Sequence, residues 1–252
     1  MIEPGTVASL HVARYGLATA MRSALGVRLR RDELERTPGL VAGALFLTAD
    51  FWTVPIPGPK ATLRRNALFC CWEDADALDA FLRESPVFDA FKRDAGETWH
   101  VRLEPAAITE GRWRDWPADT SEIVPVADDE PVCVMTYGRV RPRHWLTFWS
   151  ANARVVNYAN EQPGMLAVLG MADRIGVAST FSFWRSLREA KRFAYGRGTH
   201  APIVAPSRTV PWFDDRFFAR FRPLQTSGTL DGRDPLADLL AKTPITTAGG
   251  VL

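Results

Sequence analysis

The sequence predicts an α+β protein in which two ferredoxin-like βαββαβ repeats pack sheet to sheet as a pseudo-symmetric barrel within one chain. Three observations carry this reading. A strand, a helix, a Pro-Gly stop and a second strand occur twice in the same order. Arg14 and Arg139 lie 125 positions apart, as do Pro38-Gly39 and Pro163-Gly164. Further on, Phe69, Trp72 and Phe81 correspond to Phe181, Trp184 and Phe193 at a constant offset of 112. The 13 extra residues of the first half fall around positions 53–59, whose three prolines and one glycine mark a loop.

In the first repeat, residues 10–14 read as a strand with Leu10 and Val12 on one face. Residues 17–34 read as a helix, with Leu17, Met21, Ala24 and Leu25 at helical spacing and Arg28, Arg30 and Arg31 on a solvated face. Pro38-Gly39 stops it, and an apolar strand follows over 40–47. In the second repeat, residues 132–139 form the first strand, and Pro142 opens a helix carrying Trp145, Phe148, Trp149, Val156 and Ala159 on one stripe. Pro163-Gly164 ends that helix before the apolar strand 165–171. Residues 181–193 begin as a strand and turn into a helix at Trp184. Each repeat closes with a strand running into proline, 99–104 before Pro105 and 217–222 before Pro223. The N-terminal repeat is therefore 1–113 and the C-terminal repeat 132–252. Residues 114–131, with Trp116-Pro117 and Asp128-Asp129-Glu130, form the linker.

Composition narrows the function. A chain of 252 residues that is 46% hydrophobic and 24% charged is an ordinary globular one, and a net charge of +2 gives no argument for nucleic acid. The opening Met1-Ile-Glu-Pro-Gly5 lacks the pattern of a signal peptide, and no run approaches the length of a membrane span. Cys70, Cys71 and Cys133 form neither a CxxC pair nor a disulfide framework, so a reducing, cytoplasmic setting is expected. Neighbouring Cys70 and Cys71 on a strand point to opposite faces. No GxSxG elbow, GxGxxG loop or Walker loop occurs. Asp214-Asp215 reads as a solvated turn, and the shortage of acid/base machinery implies a cofactor for any difficult chemistry.

Of the four histidines, His11 reads as a structural histidine within a strand. His100 and His144 read as polar, exposed positions. His200 differs: Thr199 is a good helix N-cap, which sets His200 in a first turn that Pro206 would end. The positive end of a helix favours the neutral imidazole, the form that ligates metal. The first repeat offers no histidine at the corresponding place, where Glu84-Ser-Pro-Val-Phe88 stands.

Residues 132–236 resemble the spheroidene monooxygenase family of carotenoid oxygenases. The landmarks are Arg141-Pro142 with Phe148-Trp149, Thr180-Phe-Ser-Phe-Trp184, Phe193-Ala-Tyr195, His200-Ala201, Trp212-Phe213, Phe218-Ala-Arg-Phe-Arg222 and Gly232-Arg-Asp-Pro235. The first half fits more loosely, through Pro38-Gly39, Trp72, Trp99 and Gly111-Arg-Trp113. The resemblance implies a heme-containing oxygenase that inserts oxygen from O2 into an apolar substrate, with electrons from a small redox partner such as a ferredoxin. It implies a b-type heme in the C-terminal half with His200 as axial ligand. Arg141, Arg208 and Tyr137 are then candidates for propionate or distal contacts, and Phe183, Trp184, Phe193 and Trp212 for apolar walls. Two other readings stay open: a heme-dependent dehydratase or rearrangement enzyme, and a barrel that binds heme or an apolar ligand without turnover. A carotenoid-like substrate would bring the protein to a membrane surface, and assembly into homo-oligomers is compatible with this fold.

Overall fold

Period-two alternation gives every strand of this chain two faces, and register decides what each face meets. The computed structural model describes residues 5–50, 60–116, 123–196 and 212–241. The N-terminal repeat runs β1 (Val7–Tyr15), α1 (Leu17–Arg28), α2 (Arg31–Glu35), β2 (Leu40–Asp50), β3 (Lys60–Trp72), α3 (Ala75–Glu84), α4 (Pro86–Lys92) and β4 (Ala95–Glu110). The C-terminal repeat runs β5 (Val132–Val140), a 3-10 turn (Pro142–His144), α5 (Trp145–Asn160), β6 (Met165–Ala172), β7 (Val177–Trp184), α6 (Leu187–Tyr195) and β8 (Phe213–Gly228). A last helical turn, Ala237–Leu240, follows.

All strand pairs are antiparallel, and the sheet closes into a barrel in the order β1-β3-β2-β6-β7-β5-β8-β4. Each repeat thus has the order fourth, first, third, second, and the repeats join edge to edge at two seams. Leu47 pairs with Ala172 at one seam and Glu104 with Arg222 at the other. The members of each pair are counterparts in the two repeats, so a local twofold passes through both seams. Closure leaves no free strand edge, which removes the usual template for unwanted pairing.

The repeat extends to individual atoms. Asp74 and Ser186 are the N-caps of α3 and α6, and their side chains accept from Ala77 N and Glu189 N. Glu73 N donates to Gly39 O at 2.9 Å, and Arg185 N donates to Gly164 O at 2.8 Å. Both glycines are needed because a helix comes so close: a Cβ on Gly39 would lie 2.4 Å from Ala77 Cβ, and one on Gly164 would lie 2.6 Å from Glu189 Cβ.

Inside the barrel, Leu10, Val12, Phe69, Cys71, Val101 and Leu103 meet Met135, Phe181, Phe183 and Phe221, all at most 2% exposed. The segment after β4 does more than link. Trp113 and Trp116 pair as an isolated bridge, and both indoles enter the barrel core. Trp116 stacks on Phe221 with ring centroids 5.7 Å apart. The interior is therefore filled by the protein's own side chains. The segment read as one helix over 17–34 is two, α1 and α2. Of the row read from sequence, Leu17, Met21 and Leu25 are exposed, while Ala20 of α1 packs into the core beneath. No helix among the described residues is long and apolar enough to cross a membrane.

Candidate functional site

With the barrel interior filled, the outer faces of the sheet are where the two repeats differ. On the N-terminal repeat, Ser9, His11, Ala13, Asn66, Leu68 and Cys70 lie under the helices at 2% exposure or less. Their counterparts on the C-terminal repeat are Val134, Thr136, Gly138, Ala178, Thr180 and Ser182. Five of these positions change to a smaller residue: His11 to Thr136, Leu68 to Thr180, Asn66 to Ala178, Ala13 to Gly138 and Cys70 to Ser182. On β2 and β6 Leu45 likewise gives way to Gly170. Val134, Thr136, Val168, Ala178 and Thr180 are all only half-buried although α5 and α6 belong to this face. The same architecture is filled on one side and left shallow on the other.

This floor is ordered by hydroxyl groups. Register sets Thr136 opposite Thr180, and their Oγ1 atoms lie 2.6 Å apart. The Ser182 hydroxyl donates to Val134 O at 3.3 Å and accepts from Trp184 Nε1 at 3.0 Å. One wall is aromatic: the Trp184 and Phe193 rings lie 5.1 Å apart, and Phe193 stacks on Tyr158 of α5 at 5.8 Å. At the other end of α5, Phe148 meets Trp212 edge-on at 6.0 Å. The described residues that flank 197–211 therefore contact opposite ends of α5.

The predicted site residues divide between locations. Trp184 and Phe193 share the outer face, and Trp212 packs on α5. Phe183 lies on the barrel side, edge-on to Trp99 at 5.0 Å. Tyr137 also faces the barrel; its hydroxyl donates to Asp173 at 3.2 Å and accepts from Arg174 at 3.0 Å. Burial, followed by the Asp173 charge, raises the Tyr137 pKa. Arg141 Nε donates to Asp214 at 2.8 Å, and its backbone N–H donates to Trp212 O. His200 and Arg208 lie outside the described residues. Sequence reading passed over Thr136, Thr180, Gly138 and Gly170, although comparing the repeats residue by residue at the two offsets exposes them.

Other candidate chemistry falls away from this face. Burial pushes the Cys71 and Cys133 thiols well up, and Cys70 too, so these cysteines stay protonated. Among the described residues no three His, Cys, Asp or Glu side chains gather to hold a metal. His11, which is buried, pairs with His100, which is half-buried rather than exposed because Phe88 packs on it, and both lie on the N-terminal repeat, away from the shallow floor. His144 is half-buried, within 3.0 Å of Arg143 Nε. Asp214 and Asp215 both lie near Arg139.

The floor and wall fit a flat, apolar group of heme type. Thr136, Gly138, Ala178 and Thr180 keep the middle of this sheet face low beside Phe218, and Trp184, Phe193 and Tyr158 supply rings at one border.

The chain is similar to several known proteins. A spheroidene monooxygenase from Rhodobacter capsulatus is 29% identical over 182 residues, covering 71% of this chain and 75% of that protein. One from Rubrivivax gelatinosus is 30% identical over 177 residues, covering 69% of this chain and 66% of that one. One from Cereibacter sphaeroides is 26% identical, and the match spans 57% of its length. No protein-family model matches the chain. Among solved structures, an aldoxime dehydratase in complex with butyraldoxime superposes with a TM-score of 0.57 at 10% identity, over 94% of this chain and 85% of that one. That likeness concerns the barrel fold.

Proposed function

Because this chain belongs to the spheroidene monooxygenase-like family, we propose that it is a heme-dependent monooxygenase that oxidises an apolar small molecule on the outer face of its C-terminal repeat, residues 132–252. The observation that carries the proposal is the asymmetry of the two sheet faces. Thr136, Thr180 and Ala178 form a shallow, half-buried floor where the other repeat is filled by His11, Leu68 and Asn66.

His200 is the residue proposed to ligate the iron, and the cofactor is a b-type heme. When bound, the heme supplies the activation of O2. The chain's own residues give that chemistry its surroundings. Thr136, Thr180 and Ser182 offer hydroxyl groups at the floor, while Trp184, Phe193 and Tyr158 exclude water from one side. Inserting one oxygen atom of O2 and reducing the other to water consumes two electrons and two protons. The family resemblance implies a small redox partner, such as a ferredoxin, as the source of those electrons.

Addition of hemin to the purified chain tests this directly. The expected result is a Soret band at about 400 nm that His200→Ala shifts or abolishes, with turnover of an apolar substrate that needs both O2 and reductant. Protein that takes up no hemin sinks the proposal. Hemin uptake with turnover independent of O2 replaces oxygenation by dehydration or rearrangement.

A further inference from the structure

One charged residue on the C-terminal repeat has lost the partner that its counterpart keeps. In the first repeat, Ser9 of β1 pairs with Arg102 of β4. In the second, Val134 of β5, the counterpart of Ser9, pairs with Arg220 of β8. Arg102 and Arg220 are thus equivalent by register. Ala219 and Phe221 both face the barrel interior, so alternation puts Arg220 on the outer face, the same face as Thr136, Thr180 and Trp184.

Arg102 is neutralised by Asp79 of α3, to which it donates a hydrogen bond. The equivalent helix is α6, and the equivalence is secured by the matched N-caps Asp74 and Ser186. At the position of Asp79, α6 carries Lys191. Lys191 is itself turned toward the linker, where it donates to Asp128 at 2.7 Å. The other acids nearby are engaged as well: Glu104 and Glu130 both pair with Arg222. Arg220 is half-buried and has no ion pair or hydrogen bond among the described residues. A guanidinium held at a partly dry surface with its acid replaced by a cation is suited to bidentate capture of a carboxylate from a ligand.

We propose that Arg220 anchors a carboxylate of the group bound on the outer face of the C-terminal repeat, a propionate of the porphyrin. This rests on the heme reading above and adds a binding residue to it.

The test is hemin titration of the full chain, followed by absorbance, for the wild type, Arg220→Gln, Lys191→Asp and the control Arg102→Gln. Arg220→Gln should raise the hemin dissociation constant roughly tenfold or more. With hemin dimethyl ester, whose carboxylates are blocked, wild type and Arg220→Gln should bind alike. Lys191→Asp restores an acid where Asp79 stands in the other repeat, so it should also weaken hemin binding; Arg102→Gln should not. Because Lys191 is exposed, its variant carries the test even if Arg220→Gln fails to fold by circular dichroism. Equal hemin affinity of wild type, Arg220→Gln and Lys191→Asp overturns the anchor and leaves the heme reading standing. Equal weakening toward hemin and its diester also overturns it, since that marks a packing effect. Wild type that takes up neither hemin nor iron-free protoporphyrin IX overturns the heme reading and the anchor together.

Discussion

His11 Nδ1 lies 2.9 Å from His100 Nδ1, so the two rings share a single proton between facing nitrogens. The pair is enclosed by Phe81 and Phe88, and His11 Nε2 meets Ser9 Oγ at 2.9 Å. Burial is the main cause that lowers the pKa of both histidines. The charge of His100 adds to it for His11, and Lys92 adds to it for His100, which is held down to about 4. Below the unperturbed value of about 6.5, the unfolded chain therefore binds more protons than the folded one. The pair's contribution is complete above that pH and is lost as pH falls toward 4. At pH 5 the expected loss from His100 is on the order of 2 kcal/mol relative to pH 7. Thermal or denaturant unfolding at the two pH values should show this, and the double variant His11→Leu/His100→Phe should flatten the dependence between pH 6.5 and 5.

Thr180→Leu places on the shallow floor the side chain that its counterpart Leu68 places under the helices of the other repeat. It removes one hydroxyl contact, that with Thr136 Oγ1, at a cost of about 1 kcal/mol. Folding should survive while hemin affinity drops by roughly tenfold or more. Hemin titration beside a denaturation curve separates the two effects. Undiminished affinity would move the cofactor off this face.

Trp116→Ala should cost about 3–5 kcal/mol of stability, because it empties a site in the barrel core rather than trimming a linker. Trp116 is 1% exposed and packs on both Phe217 and Phe221. Urea unfolding measures the loss; a change below about 1 kcal/mol would mean that the indole does not support the core.

Gly39→Ala should be more harmful than Gly164→Ala although the glycines are counterparts. Gly39 has a φ of +70°, and its added Cβ would meet the short, rigid Ala77 side chain. At Gly164 the backbone needs no positive φ, so the close approach of Glu189 is the obstacle without added backbone strain. The expected order is about 2 kcal/mol or more for Gly39 and a smaller loss for Gly164, read from paired unfolding curves.

Much of the fold was legible in local sequence. Pro38-Gly39 and Pro163-Gly164, the caps Asp74 and Ser186, and the aligned aromatics of β3 and β7 are short-range signals, and a barrel is the way two one-faced sheets cover each other. The same alternation also shows that Phe183 and Trp184, neighbours on a strand, cannot line one pocket together. Other features rest on pairings between distant positions, which no local pattern encodes. His11 and His100 lie 89 residues apart and meet through β1–β4 register. The α1 row Leu17, Met21 and Leu25 has helical spacing, yet packing leaves it exposed. Trp113 and Trp116 enter the barrel because closure creates an interior that aromatic side chains fill. By itself the sequence determined two repeats and their order of elements. Tertiary structure decided which repeat is filled and which is shallow, and it left Arg220 without the acid that its counterpart retains. The physical reason is that burial and ion pairing are properties of the closed sheet and the helices laid on it, set only once register is complete.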